Sequence, residues 1–258
     1  MRRPVITLAS FALAFAAGLD VAIAQSNAPS QADIAAVSPA LGRYEKDVLE
    51  EGLWKRPGLS PRDRSLVTLS GVIASGQTIL IEPQMLRALD NGLTPAELSE
   101  VITHLAFYAG WGRAMEAVEG AKEVFAARGI AVAQLPSATP QLLPLDEKAE
   151  STRAAAVEKN TGPASPGLVR ATTDVLFRDL WLRPDLKPRD RSLVTVSALI
   201  ASGQDEQITF HLNRAMDYGL TRAEASEALS QLAYYAGWPK AFSAAPVFRS
   251  VFEKRASG

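Results

Sequence analysis

The sequence predicts an all-α protein built from two tandem copies of one helical unit that pack as a pseudo-dimer. Three observations carry this. Residues 54–114 realign without a gap on residues 181–241, an offset of 127, with 36 identities in 61 positions; agreement at that level marks an internal duplication. Apolar residues recur at three- and four-residue spacing in both copies, while the strict alternation of strands is absent. Helix starts and stops fall at matching places in the two copies.

The elements follow in chain order. Arg2 and Arg3, an apolar run, and Ala22-Ile23-Ala24 form a secretory signal over residues 1–24, with cleavage expected after Ala24. This predicts a periplasmic or secreted protein that leaves the membrane once cut. Residues 25–36 are rich in Ser, Asn and Pro and are expected to be a flexible leader. Repeat 1 spans 37–132, a linker 133–166, and repeat 2 167–258. In each repeat a first helix, near 43–53 or 168–180, ends at Trp54-Lys55-Arg56-Pro57 or Trp181-Leu182-Arg183-Pro184, because proline does not continue a helix comfortably. The second helix, Pro61 to Ser75 or Pro188 to Ser202, is apolar nearly all round after its charged start, so it should be buried. A third helix runs from Gly76 to Gly92, or from Gly203 to Gly219, the closing glycines acting as left-handed caps. Thr94-Pro-Ala-Glu97 and Thr221-Arg-Ala-Glu224 match the capping box and start a fourth helix. A fifth closes each copy. The linker, with five prolines, is expected to hold about one helical turn.

Composition bounds the function. Hydrophobic residues make up 47% and charged residues 21% of 258, with a net charge of −1, which suits a globular chain and gives no electrostatic footprint for nucleic acid. There is no cysteine, hence no disulfide framework and no thiol chemistry. Two histidines without carboxylates at ligand spacing predict no metal site. No glycine-rich phosphate loop or nucleophile elbow occurs.

The copies diverge most in the third helix. Copy two places Gln204, Gln207, His211, Arg214 and Tyr218 at three- and four-residue spacing on one face, with Ile208, Leu212 and Ala215 opposite; copy one has Gln84 where copy two has His211. Histidine titrates nearest neutral pH and is a natural proton carrier, so His211 is the candidate catalytic residue. Glu206 lies about 140° round the helix from it and reaches a common pocket only from the first turn. His104, flanked by Glu100 and Tyr108, is expected to be a buried, hydrogen-bonded histidine. The Arg62-Asp63-Arg64 and Arg189-Asp190-Arg191 runs suit a structural ion-pair network, or one inward arginine per copy for a substrate carboxylate.

Arg-Asp-Arg-Ser-Leu-Val-Thr, Glu206 to His211 with Leu-Asn-Arg, Gly219-Leu-Thr, and Tyr235-Ala-Gly-Trp238-Pro together resemble the carboxymuconolactone decarboxylase family. The resemblance implies the alkyl hydroperoxidase D-like helical fold in both domains and assembly into rings of six domains, here a trimer of tandem chains. It implies cofactor-free acid/base decarboxylation or isomerisation of a small carboxylated lactone or related organic acid. It places His211 and Glu206 as catalytic residues and Arg191, Arg214, Gln207, Gln204, Tyr235 and Trp238 around the substrate. The peroxidase branch of that fold carries cysteines where this chain has Gln204 and Gln207, which disfavours peroxide reduction. A noncatalytic binding or scaffold protein of the same fold is the other reading.

Overall fold

The structure, a computed structural model, describes residues 28–257, so the signal-like segment 1–24 lies outside the described residues. Twelve α-helices are described, with no strand among those residues. The first unit contains α1 (Gln31–Val37), α2 (Pro39–Tyr44), α3 (Pro61–Ser75), α4 (Thr78–Asp90), α5 (Pro95–Tyr108) and α6 (Trp111–Ala127). Helix α7 (Glu147–Thr161) sits between the repeats. The second unit contains α8 (Pro166–Ala171), α9 (Pro188–Ser202), α10 (Asp205–Asp217), α11 (Arg222–Ala236) and α12 (Trp238–Ala256). Thr94 and Thr221 cap α5 and α11 in full capping boxes with Glu97 and Glu224. Gly76 and Gly203 end α3 and α9 at φ 70°, the left-handed conformation that a side chain resists.

Helices α3 and α9 form the centre and pack on each other. All residues from Asp63 to Ala74 in α3 and from Asp190 to Ala201 in α9 are buried. A helix buried on every side must satisfy its own polar side chains. Thr68, Ser70, Thr195 and Ser197 do so by donating to the carbonyl one turn back, at 2.7–2.9 Å. Close approach also needs a small residue: a Cβ on Gly71 would lie 2.6 Å from Leu232 Cδ2.

The repeats exchange contacts across their pseudo-two-fold. Helix α11 packs on α3, and α5 packs on α9. Arg62 donates to Asp190 at 2.7 Å and Arg189 to Asp63 at 2.7 Å, and each arginine also pairs with the aspartate next to it at 2.8 Å. Deeper in, Arg64 and Arg191 are both 0% exposed. Arg64 pairs with Glu227 at 2.9 Å and Arg191 with Glu100 at 2.9 Å, each across the repeat boundary. Removing one partner of such a pair leaves a buried uncompensated charge, at a cost of about 3–5 kcal/mol. The two copies therefore fold as one body.

Two expectations are corrected. The linker holds a helix of 15 residues, α7, rather than a single turn, started by Asp146, whose side chain accepts from the Ala149 amide. The leader expected to be flexible contains α1, capped by a box between Ser30 and Asp33 and tied to the next segment by Gln31 Nε2 donating to Glu45 at 2.7 Å. The first helix of each repeat is also broken: α2 runs into a π-helical turn at Glu45–Glu50, and α8 into one at Thr172–Phe177.

Candidate active site

His211 projects from α10 into a nest of aromatic rings drawn from both repeats. Its ring lies nearly parallel to Trp181, 13° apart with centroids at 5.6 Å, and edge-on to Tyr108 at 5.3 Å and Phe210 at 5.0 Å. Trp181 Nε1 donates to Tyr108 Oη at 2.9 Å, which leaves the phenol hydrogen available to another acceptor. His211 is 7% exposed, and its buried Nδ1 has no hydrogen-bond partner among the described residues. Burial, reinforced by the nearby Arg214 charge, lowers its pKa to about 3. The imidazole is therefore neutral across the physiological range. Burial also raises the Tyr108 phenol to about 12, so it too stays protonated.

Beside this nest a cavity of about 680 Å³ is lined by Arg153, Phe177, Glu206, Phe210, Arg214 and Tyr218 among others. His211 lies one layer behind that wall, shielded by Phe210. Arg214 stands over Trp181 at 4.6 Å and also faces Phe177 and Tyr218. It forms no ion pair among the described residues, and its buried Nε lacks a partner. The matching residue of copy one, Arg87, stands over Trp54 at 4.3 Å and is neutralised by Glu50 at 2.7 Å. The position of Glu50 is Phe177 in copy two. One substitution thus separates a compensated from an uncompensated guanidinium. Helix α7 adds Arg153, held by Glu150 at 2.7 Å and stacked over Phe177 at 4.1 Å, with a buried Nη1 left unpartnered.

Several expected site residues lie elsewhere. Arg191 does not face the cavity: both its Nη2 bonds go to Glu100 and the Arg183 carbonyl, so it is structural. Tyr235 serves the other copy, accepting from Trp54 Nε1 at 2.9 Å, because α5 and α11 are exchanged between the repeats. Its role beside His211 is taken by Tyr108. Trp238 is exposed on the surface and packs edge-on to Tyr234. Gln204 and Gln207 are exposed and line no part of the cavity, and Glu206 stands at its wall without an ion pair among the described residues. Sequence reasoning missed Trp181, Phe177 and Arg153 as site residues. The signal for the first was the Trp54/Trp181 identity, and for the second the Glu50/Phe177 difference.

His104 is a core residue, as its position suggests. Thr195 Oγ1 donates to the Arg191 carbonyl, so it accepts from His104 Nε2 at 2.7 Å, and His104 Nδ1 faces Arg191 Nη1 at 3.4 Å. In the other copy Gln231 Nε2 donates to Thr68 Oγ1 at 2.9 Å, and its Oε1 accepts from Arg64 at 2.8 Å. A neutral Nε2–H histidine and a glutamine thus make the same two bonds. Burial and the Arg191 charge hold His104 well below the usual histidine range.

The fold and site define a class: a duplicated all-α protein with exchanged helices and one cavity in each copy, the second bearing a free arginine with a buried histidine behind its wall. The chain belongs to the carboxymuconolactone decarboxylase family, whose sequence profile matches residues 39–123 and again 166–250. It is 39% identical over 79 residues to a 4-carboxymuconolactone decarboxylase of Acinetobacter baylyi, covering 31% of this chain and 59% of that one. A nitrosuccinic acid decarboxylase of Metarhizium robertsii is 35% identical over 66 residues, covering 26% of this chain and 46% of that one. The chain thus spans about half the length of these curated relatives. The fold also matches a crystal structure of a putative gamma-carboxymuconolactone decarboxylase subunit from Burkholderia xenovorans, at TM-score 0.51 and 22% identity over 90% of this chain and 93% of that one.

Proposed function

We propose that the second-copy pocket decarboxylates or isomerises a small carboxylated lactone or related organic acid without a cofactor. The observation that carries this reading is the uncompensated Arg214 beside a neutral, partnerless His211. A guanidinium stripped of its carboxylate is a seat for a substrate carboxylate. The names of the two relatives, both decarboxylases of small organic acids, support the class.

The chemistry follows from the placement. Arg214 and the free Nη1 of Arg153 orient the anion. When the C–C bond to the carboxylate breaks and carbon dioxide leaves, its electron pair flows through the conjugated bond onto the lactone carbonyl. A donor aimed at that oxygen stabilises the dienolate; the Tyr108 hydroxyl, beside His211 behind the cavity wall, keeps its hydrogen for such a bond. A proton must then reach carbon. His211 is neutral in the free protein, so it cannot begin as the acid. A carboxylate within about 4 Å at an effective dielectric of 20 favours the imidazolium by roughly 4 kcal/mol, about a thousandfold. Substrate entry therefore multiplies the imidazolium fraction of His211 about a thousandfold while most of it stays neutral near pH 7, and the charged fraction protonates the ring carbon as its counter-charge departs. Glu206 at the cavity wall relays the replacing proton from solvent.

Carbon dioxide release from 4-carboxymuconolactone, the compound in the name of the Acinetobacter relative, is the first assay, followed by a wider screen of carboxylated lactones. On a turned-over compound His211→Gln is expected to abolish activity with the helical spectrum intact, and Glu206→Gln to lower it about 10- to 1,000-fold. Wild-type turnover by His211→Gln would remove the residue from the chemistry. The shielding of His211 behind Phe210 favours the second reading, a noncatalytic binding protein, for which no compound is turned over. The protein is further proposed to be exported and to act as a trimer of tandem chains.

A further inference from the structure

Copy one keeps a cavity of its own, about 640 Å³, walled mainly by apolar side chains including Leu41, Val48, Leu49, Leu80 and Pro83. That volume falls in the range of small-molecule sites. Its differences from the second-copy pocket are chemical and all point one way. Pro83 stands where copy two has the bulky Phe210, and Gln84, the counterpart of the shielded His211, lines the cavity directly. Gln84 is only 8% exposed and its Oε1 has no hydrogen-bond partner among the described residues. An amide buried in this way costs free energy until something bonds to it. Tyr235, also in the lining, accepts from Trp54 Nε1 and keeps its hydrogen to donate. The only arginine on the wall among the described residues, Arg87, is already neutralised by Glu50 at 2.7 Å. An anion entering here would lose its hydration without gaining a free cation.

We propose that the first-copy cavity is a separate binding site for a small, uncharged, largely apolar molecule with one hydrogen-bonding group, of the phenol class. The ring packs against the aliphatic wall, and its hydroxyl bonds to the Gln84 carboxamide. The duplicated chain thus holds two pockets of different charge preference, one for a neutral molecule and one for an anion. Helix α1 contributes Ile34 to the wall and Ala28-Pro29 approach its rim, so the leader forms part of this site. The proposal stands whether or not the second pocket turns over a substrate.

The test is calorimetric titration of the mature full-length chain with 4-methylphenol and with 4-methylbenzoate, which share a ring and a methyl group and differ in charge at pH 7. One saturable site for the phenol is expected, with the benzoate at least tenfold weaker there. Gln84→Leu, similar in size and without the amide, should weaken the phenol roughly 2- to 12-fold, the range of a typical net hydrogen bond. Leu80→Trp should fill the cavity and produce a loss of its own. Glu50→Gln should free Arg87 and raise benzoate affinity at least tenfold while the phenol is little changed. His211→Gln should leave phenol binding unaltered. The proposal is overturned if the phenol fails to bind, including because the chain's own N-terminal residues fill the space. Benzoate binding tighter than the phenol's that is lost with Leu80→Trp, and so lies in this cavity, overturns it equally, as does phenol binding lost with His211→Gln and kept with Gln84→Leu and Leu80→Trp.

Discussion

Replacing Phe177 by glutamate puts into copy two the carboxylate that copy one carries at Glu50, and so tests whether the free charge of Arg214 makes the second pocket an anion site. In copy one the pair closes at 2.7 Å with the arginine still stacked on its tryptophan. Arg214 already faces the residue 177 ring at 5.7 Å, so an introduced carboxylate can reach it. At about 4 Å and an effective dielectric of 20 the gross attraction is about 4 kcal/mol. Arg214 is half-buried, and the net worth of a charge-assisted hydrogen bond there is roughly 1.5–3 kcal/mol, or about 10- to 150-fold in affinity for a carboxylated lactone. Phe177 also stacks on Trp181 at 5.8 Å and supports Arg153, so losing its ring has a cost unrelated to charge. Phe177→Gln measures that cost alone. The quantity to compare is the ratio of lactone dissociation constants for Phe177→Glu and Phe177→Gln, by calorimetry at low and moderate salt. A ratio near one at both salt concentrations would show that Arg214 is not the seat of the anion.

Other outcomes follow from the same geometry. His104→Gln should keep thermal stability within about 1 kcal/mol of wild type, since glutamine makes the equivalent bonds at position 231, whereas His104→Leu should cost about 1–3 kcal/mol by stranding Thr195 and Arg191. Both histidines are held neutral below their unfolded value. Below pH about 6.5 the unfolded chain binds the extra protons, so stability should fall as pH drops from 6.5 towards 3, by up to about 1.4 kcal/mol per pH unit per histidine; urea midpoints for wild type and His104→Gln should show the slope, shallower in the variant. Phe107, Trp111 and Met115 are exposed, as are their counterparts Tyr234, Trp238 and Phe242, a paired apolar surface suited to closing a ring. Light scattering should give a trimer that Trp111→Glu with Trp238→Glu reduces to single chains; a monomeric wild type would end that expectation.

Much of the fold was legible because it is written twice. The buried second helix, the glycine stops and the capping boxes each appear in both copies, and periodicity with local capping suffices to place them. Helix α7 was not legible, since only Glu150 of its residues is buried and it therefore lacks the apolar stripe from which such readings start. The exchange of α5 and α11 was also hidden: pairing Tyr235 with His211 follows from their common repeat, and only the tertiary packing shows that Tyr108 takes that place. The uncompensated charge of Arg214 was visible as a Glu50/Phe177 difference, but its meaning depended on knowing that residue 177 faces residue 214. Arg191 misled because a buried arginine on a charged helix start reads the same whether its partner is a ligand or Glu100.

The exchange of helices also bears on how the two pockets came to differ. In a dimer of identical single-copy chains every substitution arrives in both pockets at once, so neither can be altered without the other. Joining the copies in one polypeptide removes that constraint, while the crossed Trp–Tyr and Arg–Glu pairs keep each half dependent on its neighbour. Fusion therefore lets one copy carry a histidine and a bare cation while the other carries an amide and a closed ion pair. Neither half is free to leave.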